Sequence, residues 1–390
     1  MQIKEVKARK ILDSRRQETV EVSVFSDREF ISSAPEGKSK GRFEAKPYFK
    51  NINQDILYLN NLDIRKIKIE EFADLKEIEN LTAGKMGANS LFALEASILK
   101  ALAFEQGQGL WEYLSRGKPK KFPFPLGNAI GGGMHTNSLR GKKPDFQEFL
   151  VIPKTRKFGD NVFLMKKMHS ALGEILAMKN AKGKLNDENA WGTSLDNEAV
   201  LEILNKNAEA VSDEAGCKIE IGIDAAASSF FKNNFYEYKN KPRTLNREEQ
   251  MRYIEALSKN YDLFYMEDPL QEEDFEGFSE LREKIIPIVS GDDLIVTNMM
   301  RLKKAVQKKS INAVIIKPNQ NGSLLKVREI CDFCRKEEIA TVFSHRSGET
   351  QDNSLGDLAV AWKADFIKTG ILGKERDAKL NRIIEIERNF

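Results

Sequence analysis

NAVIIKPN, Asn312–Asn319, is a short run of apolar, mostly β-branched residues that stops at an ionisable one, Lys317, with a proline directly behind it. β-Branched residues favour strands, and proline ends a ladder. Alone it reads as one buried strand with a solvated end. Five other runs repeat it. IEIGID ends at Asp224, LFYMED carries Glu267, IIPIVSGDD carries Asp292, ATVFSHRS carries His345 and ADFIKTG carries Lys368. From Glu267 onward these residues recur every 23 to 28 positions, after a first gap of 43. That is about the length of one βα unit. In a barrel of parallel strands the C-terminal ends share one face, where active sites lie. The spacing therefore gathers three carboxylates, two lysines and a histidine around one mouth.

Outward from this block the chain changes character. QIKEVKARKIL, TVEVSVFSD and REFISSAP read as three strands of a meander. FADLKEIENL and GANSLFALEASILKALAFEQG carry apolar residues at helical spacing. GKPKKFPFPLG is a Pro-, Gly- and Lys-rich join. The expectation is two units: 1–124, an α+β capping domain, and 125–390, an α/β barrel. At 390 residues, with 41% hydrophobic and 31% charged, the chain has room for both. A net charge of +3 with no basic arm gives no sign of a nucleic-acid partner. No apolar run is long enough to cross a bilayer, and the N-terminus alternates like a strand rather than a signal peptide. A cytoplasmic location is the expectation. Cys217, Cys331 and Cys334 form no disulfide framework, and the C-x-x-C at 331–334 reads as a helix wall.

The six strand ends suggest a chemistry. Asp224, Glu267 and Asp292 are hard oxygen donors that suit Mg²⁺ better than Zn²⁺. Lys317 is then placed to act as a base, its pKa drawn down by a dication and by Lys368. A metal beside a lysine suits proton removal next to a carboxylate, because the metal stabilises the enediolate. His345, Arg346 and Ser347 follow one another without a gap and suit an anion, most simply a phosphate.

Taken in order, ILDSR…TVEV, LGNAIGGGMHTN, QEFLVIP, IGIDAAASSF, MEDPL, SGDDLIVTN, IIKPNQNGSL, SHRSGET and IKTG resemble the enolase (phosphopyruvate hydratase) family over essentially the whole chain. The resemblance implies an enolase-type (β/α)8 barrel behind an N-terminal cap and Mg²⁺-dependent dehydration of 2-phosphoglycerate, with a lysine base typical of that superfamily. It implies that Asp224, Glu267 and Asp292 hold one Mg²⁺ and that Ser39 is a ligand to a second. Lys317 abstracts the C2 proton. Glu188 helps expel the C3 hydroxyl, supported by Glu148. Gln147, His135 and His345 line the substrate, Arg346 and Ser347 bind phosphate, and Lys368 binds carboxylate. His169 reads as a plain helix residue. The resemblance also implies a homodimer, with Arg15 facing Glu387 and a like-charged Glu21 facing Glu385.

The chain departs from the family at several points. The lid loop reads PEGKSKG where the family has P-S-G-A-S-T-G, so lysines 38 and 40 either add charge toward a phosphate or obstruct closure. DENA replaces D-E-G-G beside Glu188 and removes backbone freedom. ILGKER follows IKTG, and DSRRQETVEV replaces DSRGNPTVEV. Two other readings stand beside enolase: a diverged lyase on another phosphorylated hydroxy-acid, and a non-catalytic binding protein on the same fold.

Overall fold

Alternating burial builds the N-terminal meander. In the computed structural model, which describes residues 1–38, 41–115, 117, 119, 121–139 and 141–390, Val6 and Ala8 face inward from strand Glu5–Leu12 while their neighbours face water. That strand pairs antiparallel with Glu18–Phe25, Val6 opposite Val24, and the latter pairs with Glu29–Ser33. Helix Ala88–Glu105 lies across the sheet with most of its residues buried, and Ser97 Oγ donates to the Val22 carbonyl at 2.8 Å. A helix at Ile52–Asn60, capped by Asn51, completes this layer.

Eight strands close the barrel in the order Phe124–Gly131, Glu148–Pro153, Ile219–Asp224, Tyr265–Glu267, Ile288–Gly291, Ala313–Ile316, Ala340–Ser344 and Phe366–Lys368. The last pairs with the first, Phe366 opposite Phe124. Leu126, Leu150, Ile152, Tyr265, Ile315, Val342 and Phe366, from six of these strands, form one buried cluster, and Ile288 of a seventh strand packs at its edge.

The parallel barrel expected from the spacing needs one correction. Glu148–Pro153 runs antiparallel to both neighbours. Its beginning, not its end, therefore reaches the mouth, and Glu148 stands opposite Asp224 and Gly131. An antiparallel second strand is what brings Gln147 and Glu148 to the same face as the ends of the parallel strands. Cys331 and Cys334 are buried on helix Leu324–Lys336, and burial raises both thiols, Cys334 to about 12. No helix among the described residues is long and apolar enough to cross a membrane.

Candidate active site

The mouth of the barrel forms a cleft with about 700 Å³ of empty space, part of it open solvent. Its walls include Gln147, Glu148, Glu188, Asp224, Asp292, Lys317, His135, His345, Arg346, Ser347 and Lys368. Eleven of the thirteen residues singled out in the sequence thus meet in one place. Glu267 lies just beneath, fully buried and hydrogen-bonded to Lys368. Ser39 lies outside the described residues.

The lysines divide the acids between them. Lys368 Nζ lies 3.0 Å from Asp224, 2.9 Å from Glu267 and 3.1 Å from Glu148. Burial would lower its pKa, but these carboxylates outweigh that and hold it well above the ordinary lysine value. Lys317 is paired with Asp292. The protein's own groups hold Lys317 above the ordinary lysine value. Burial, Arg346 and Lys368 all push it down, and Asp292 more than offsets them. Asp292 in turn is held below the usual carboxylate range: burial raises it and Lys317 outweighs burial.

The three expected metal ligands do not form a single tight knot. The acidic oxygens that come within 4.8 Å of one another belong to Asp268, Asp292 and Asp293, with a second such group at His135, Glu148 and Glu188. The reason is the lysines: Lys368 bridges Asp224 and Glu267, while Lys317 draws on Asp292 from its own strand. Crowding still shows in the acids. Burial first, then Asp224, pushes Glu267 up to about 8, and Asp293 rises to about 7 through burial and Asp292. Tyr265, buried in the barrel, donates to Glu267 at 3.0 Å. Asp292 Oδ1 is buried with no hydrogen-bond partner among the described residues. Hard oxygens with an unused acceptor fit a Mg²⁺-sized cation; nothing in the set is a soft ligand.

Glu188 is held between two imidazoles. His135 Nδ1 lies 3.3 Å from one oxygen and His345 Nε2 3.8 Å from the other, and Asn128 donates at 3.2 Å. Burial would raise this carboxyl, but His135, His345 and Arg376 outweigh it and hold it well below its ordinary value. Glu148 moves the opposite way. Burial raises it well above the carboxylate range, and Glu188 adds to the rise against the pull of Lys368. Burial also drives His345 well below the ordinary histidine value.

The loop carrying Glu188 solves the loss of its glycines. Asn189 takes a left-handed backbone at φ 61°, which asparagine tolerates better than most side chains. Its Nδ2 donates to the Leu372 carbonyl at 3.0 Å. His169 Nε2 lies 2.8 Å from the Asn189 carbonyl and stacks on Trp191. The histidine read as a plain helix residue is thus a brace for this loop. Periodicity could not show that, because the contact spans two elements.

Two further residues escaped the sequence reading. Arg376, fully buried in ILGKER, donates to the carbonyl of Ser347 at 2.9 Å and to Ser14 Oγ at 3.0 Å, tying the expected phosphate loop to the N-terminal layer. Glu44 grips Arg346 at both ends of its fork, at 2.7 and 3.1 Å. The partners are 302 positions apart, so no local signal announces the pair.

Glu36 and Lys38, the first part of the lid, are held at the mouth. Glu36 and Gly348 exchange both backbone hydrogen bonds, at 2.7 and 2.9 Å, and the Lys38 N–H donates to Ser347 Oγ at 2.8 Å. Lys38 Nζ sits 3.1 Å from Asp187, the residue before Glu188. The charge of Lys38 thus faces the Glu188 loop.

The model of the enolase C-terminal TIM barrel domain matches residues 119–390. The chain belongs to the enolase family. It is 37% identical to the enolase of Natronomonas pharaonis over 99% of both chains. It is also 37% identical to the enolase of Archaeoglobus fulgidus, over 99% of this chain and 97% of that one, and to the enolase of Methanocorpusculum labreanum over the whole of both. With the family comes the enzyme class, a hydro-lyase. For this enolase-family chain the match covers both the cap and the barrel.

Proposed function

We propose that the protein is an enolase that interconverts 2-phosphoglycerate and phosphoenolpyruvate with Mg²⁺. One observation carries the reading: a single cleft is lined by a lysine that can take a proton, a pair of buried carboxyls that can give one, and an arginine–serine pair suited to a phosphate. Lys317 in its amine form takes the C2 proton. The Glu148–Glu188 pair delivers a proton to the departing C3 hydroxyl, so that it leaves as water. Asp224, Glu267 and Asp292 would hold one Mg²⁺, and Ser39 would contribute to a second. Bound there, Mg²⁺ supplies positive charge for the enediolate. Any engagement of Asp292 by a cation weakens its hold on Lys317 and favours the amine. His135 and His345 keep Glu188 in place, Gln147 borders the substrate, and Lys368 lies within the acid cluster, from where it would reach the substrate carboxylate.

The test is phosphoenolpyruvate formation from 2-phosphoglycerate, with Mg²⁺ and then with chelator. Metal-dependent turnover supports the reading; no turnover by folded, metal-loaded protein overturns it. The Lys38–Asp187 bridge favours a second reading, a related lyase on another phosphorylated hydroxy-acid. A panel of such acids separates the two. The assembly we infer is a homodimer of two-unit chains, 1–124 and 125–390, working on a glycolytic substrate in the cytoplasm. Support for the dimer comes from apolar side chains left open on the meander, Leu12 at 63% and Ile31 at 40% exposed. Arg9 pairs with Glu21 and Arg382 with Glu385 within one chain, which supports a contact between the two elements despite their like charges. Glu387 caps helix Phe158–Met178 through the N–H groups of Phe158 and Gly159, while Arg15 turns to Asp13 and the Glu36 carbonyl. Size-exclusion with light scattering checks the dimer.

A further inference from the structure

We infer that Glu44 is a positioning residue for phosphate: it holds Arg346 by the end of its guanidinium and leaves the side edge for the ligand. The inference rests on the reading of Arg346 as the phosphate contact. A guanidinium offers five N–H groups and two edges that can grip an oxyanion with parallel bonds. Glu44 takes the end edge, one oxygen on Nη1 at 2.7 Å and the other on Nη2 at 3.1 Å. Asn319 Oδ1 accepts the second Nη1 hydrogen at 3.4 Å. What remains is Nε–H and one Nη2–H, the side edge, which has no acceptor among the described residues. Arg346 borders the cleft; Glu44 is not part of its wall. The carboxylate therefore supports the arginine from behind rather than occupying the seat of the ligand.

Both side chains are nearly fully buried, at 3% and 7% exposure. A buried, two-point charge pair fixes geometry far better than a surface pair. Glu44 follows the lid loop. The Ala45 N–H beside it donates to the Gln320 carbonyl at 3.1 Å, and Asn319 Nδ2 donates to the Pro35 carbonyl at 2.9 Å. Asn319 and Gln320 follow Lys317 within one turn, so the backbone next to Glu44 is fixed beside the base.

The alternative is that Glu44 competes with phosphate for Arg346, and the two differ in sign. The experiment compares the parent chain with Glu44→Gln and Glu44→Asp. It reads inhibition of turnover by inorganic phosphate and, separately, by glycerate, which lacks the phosphate. Direct calorimetric binding of phosphate accompanies both. Glu44→Gln should weaken phosphate about tenfold or more, raise KM for 2-phosphoglycerate and leave glycerate inhibition unchanged. In an Arg346→Met background the same change should add nothing. Glu44→Asp keeps the charge one methylene short, and it carries the same expectation in smaller degree if the glutamine variant does not fold. Tighter phosphate binding in Glu44→Gln overturns the proposal in favour of competition. Equal losses for phosphate and glycerate overturn it in favour of a merely structural role. A parent chain that binds no phosphate overturns the phosphate reading and this proposal together, which distinguishes the two failures.

Discussion

Replacing Lys317 with methionine keeps most of the side-chain volume and removes only the charge and the basic nitrogen. Loss of a positioned general base costs about 10²- to 10⁴-fold in rate, so turnover of 2-phosphoglycerate should fall at least a hundredfold. The same change strips Asp292 of its partner. Breaking a buried pair costs about 3–5 kcal/mol. Here the side chains are 16% and 12% exposed, so about 2–4 kcal/mol is the better expectation. The sign with pH follows from Asp292, whose carboxyl Lys317 holds below its ordinary value. A depressed folded pKa gives stability that is present above the unfolded value near 4 and is lost as pH falls through the folded one. The deficit of the variant should be full at neutral pH and close as acid protonates Asp292. Stabilisation by Mg²⁺ should persist or grow, because Lys317 no longer competes for that carboxylate. Urea melts at several pH values, with and without Mg²⁺, and a coupled rate assay check all of this. Activity within tenfold of the parent would refute Lys317 as base. Loss of Mg²⁺ stabilisation would refute the account of Asp292.

Lys38→Ala and Asp187→Asn remove a bridge whose partners are 43% and 37% exposed. Each should change stability by no more than about 0.5 kcal/mol and kcat/KM a few-fold, with the difference vanishing in high salt. Asn189→Gly should preserve activity, while Asn189→Val, which resists a left-handed backbone, should lower kcat by displacing Glu188; steady-state kinetics decide. Burial holds neutral His345 well below the ordinary histidine pKa, so the unfolded chain binds that proton first. Stability should fall as pH drops below about 6.5, by up to about 1.4 kcal/mol per pH unit from this group, and His345→Asn should flatten that slope in urea melts.

The barrel was legible because six of its eight strands are short apolar runs that stop at or beside an ionisable residue, five of them at nearly even spacing. The direction of Glu148–Pro153 was not, since QEFLVIP reads equally well either way and only its neighbours fix it. The gathering of Asp224, Asp292, Lys317, His345 and Lys368 followed from strand ends alone. How those charges pair did not. Lys368 settles among Asp224, Glu267 and Glu148 because burial leaves an ammonium no cheaper company, and that choice depends on three dimensions. Glu44, Arg376 and His169 act across elements far apart in sequence, where periodicity carries no information.

Glu148 and Glu188 present the sharpest question about the proton that must leave with the hydroxyl. Each offers an atom to a single group with His135, all within 4.8 Å. Two carboxyls so close do not both ionise readily, and their environments push them apart. Glu188 has two imidazoles, Asn128 and the nearby Arg376 to stabilise its charge. Glu148 has a share of Lys368, whose charge it divides with Asp224 and Glu267. The resting proton therefore belongs to Glu148, and the pair, rather than Glu188 alone, is the acid. Glutamine is the neutral isostere of a protonated glutamate, which makes the claim testable by stability. At neutral pH Glu148→Gln should stay within about 1 kcal/mol of the parent, since it replaces a neutral group. Glu188→Gln removes a real charge from between its partners and should cost about 2–4 kcal/mol. Both should lose activity, because one cannot give the proton and the other cannot relay it. The reverse order of stabilities in urea melts would place the proton on Glu188 and make that residue the direct donor.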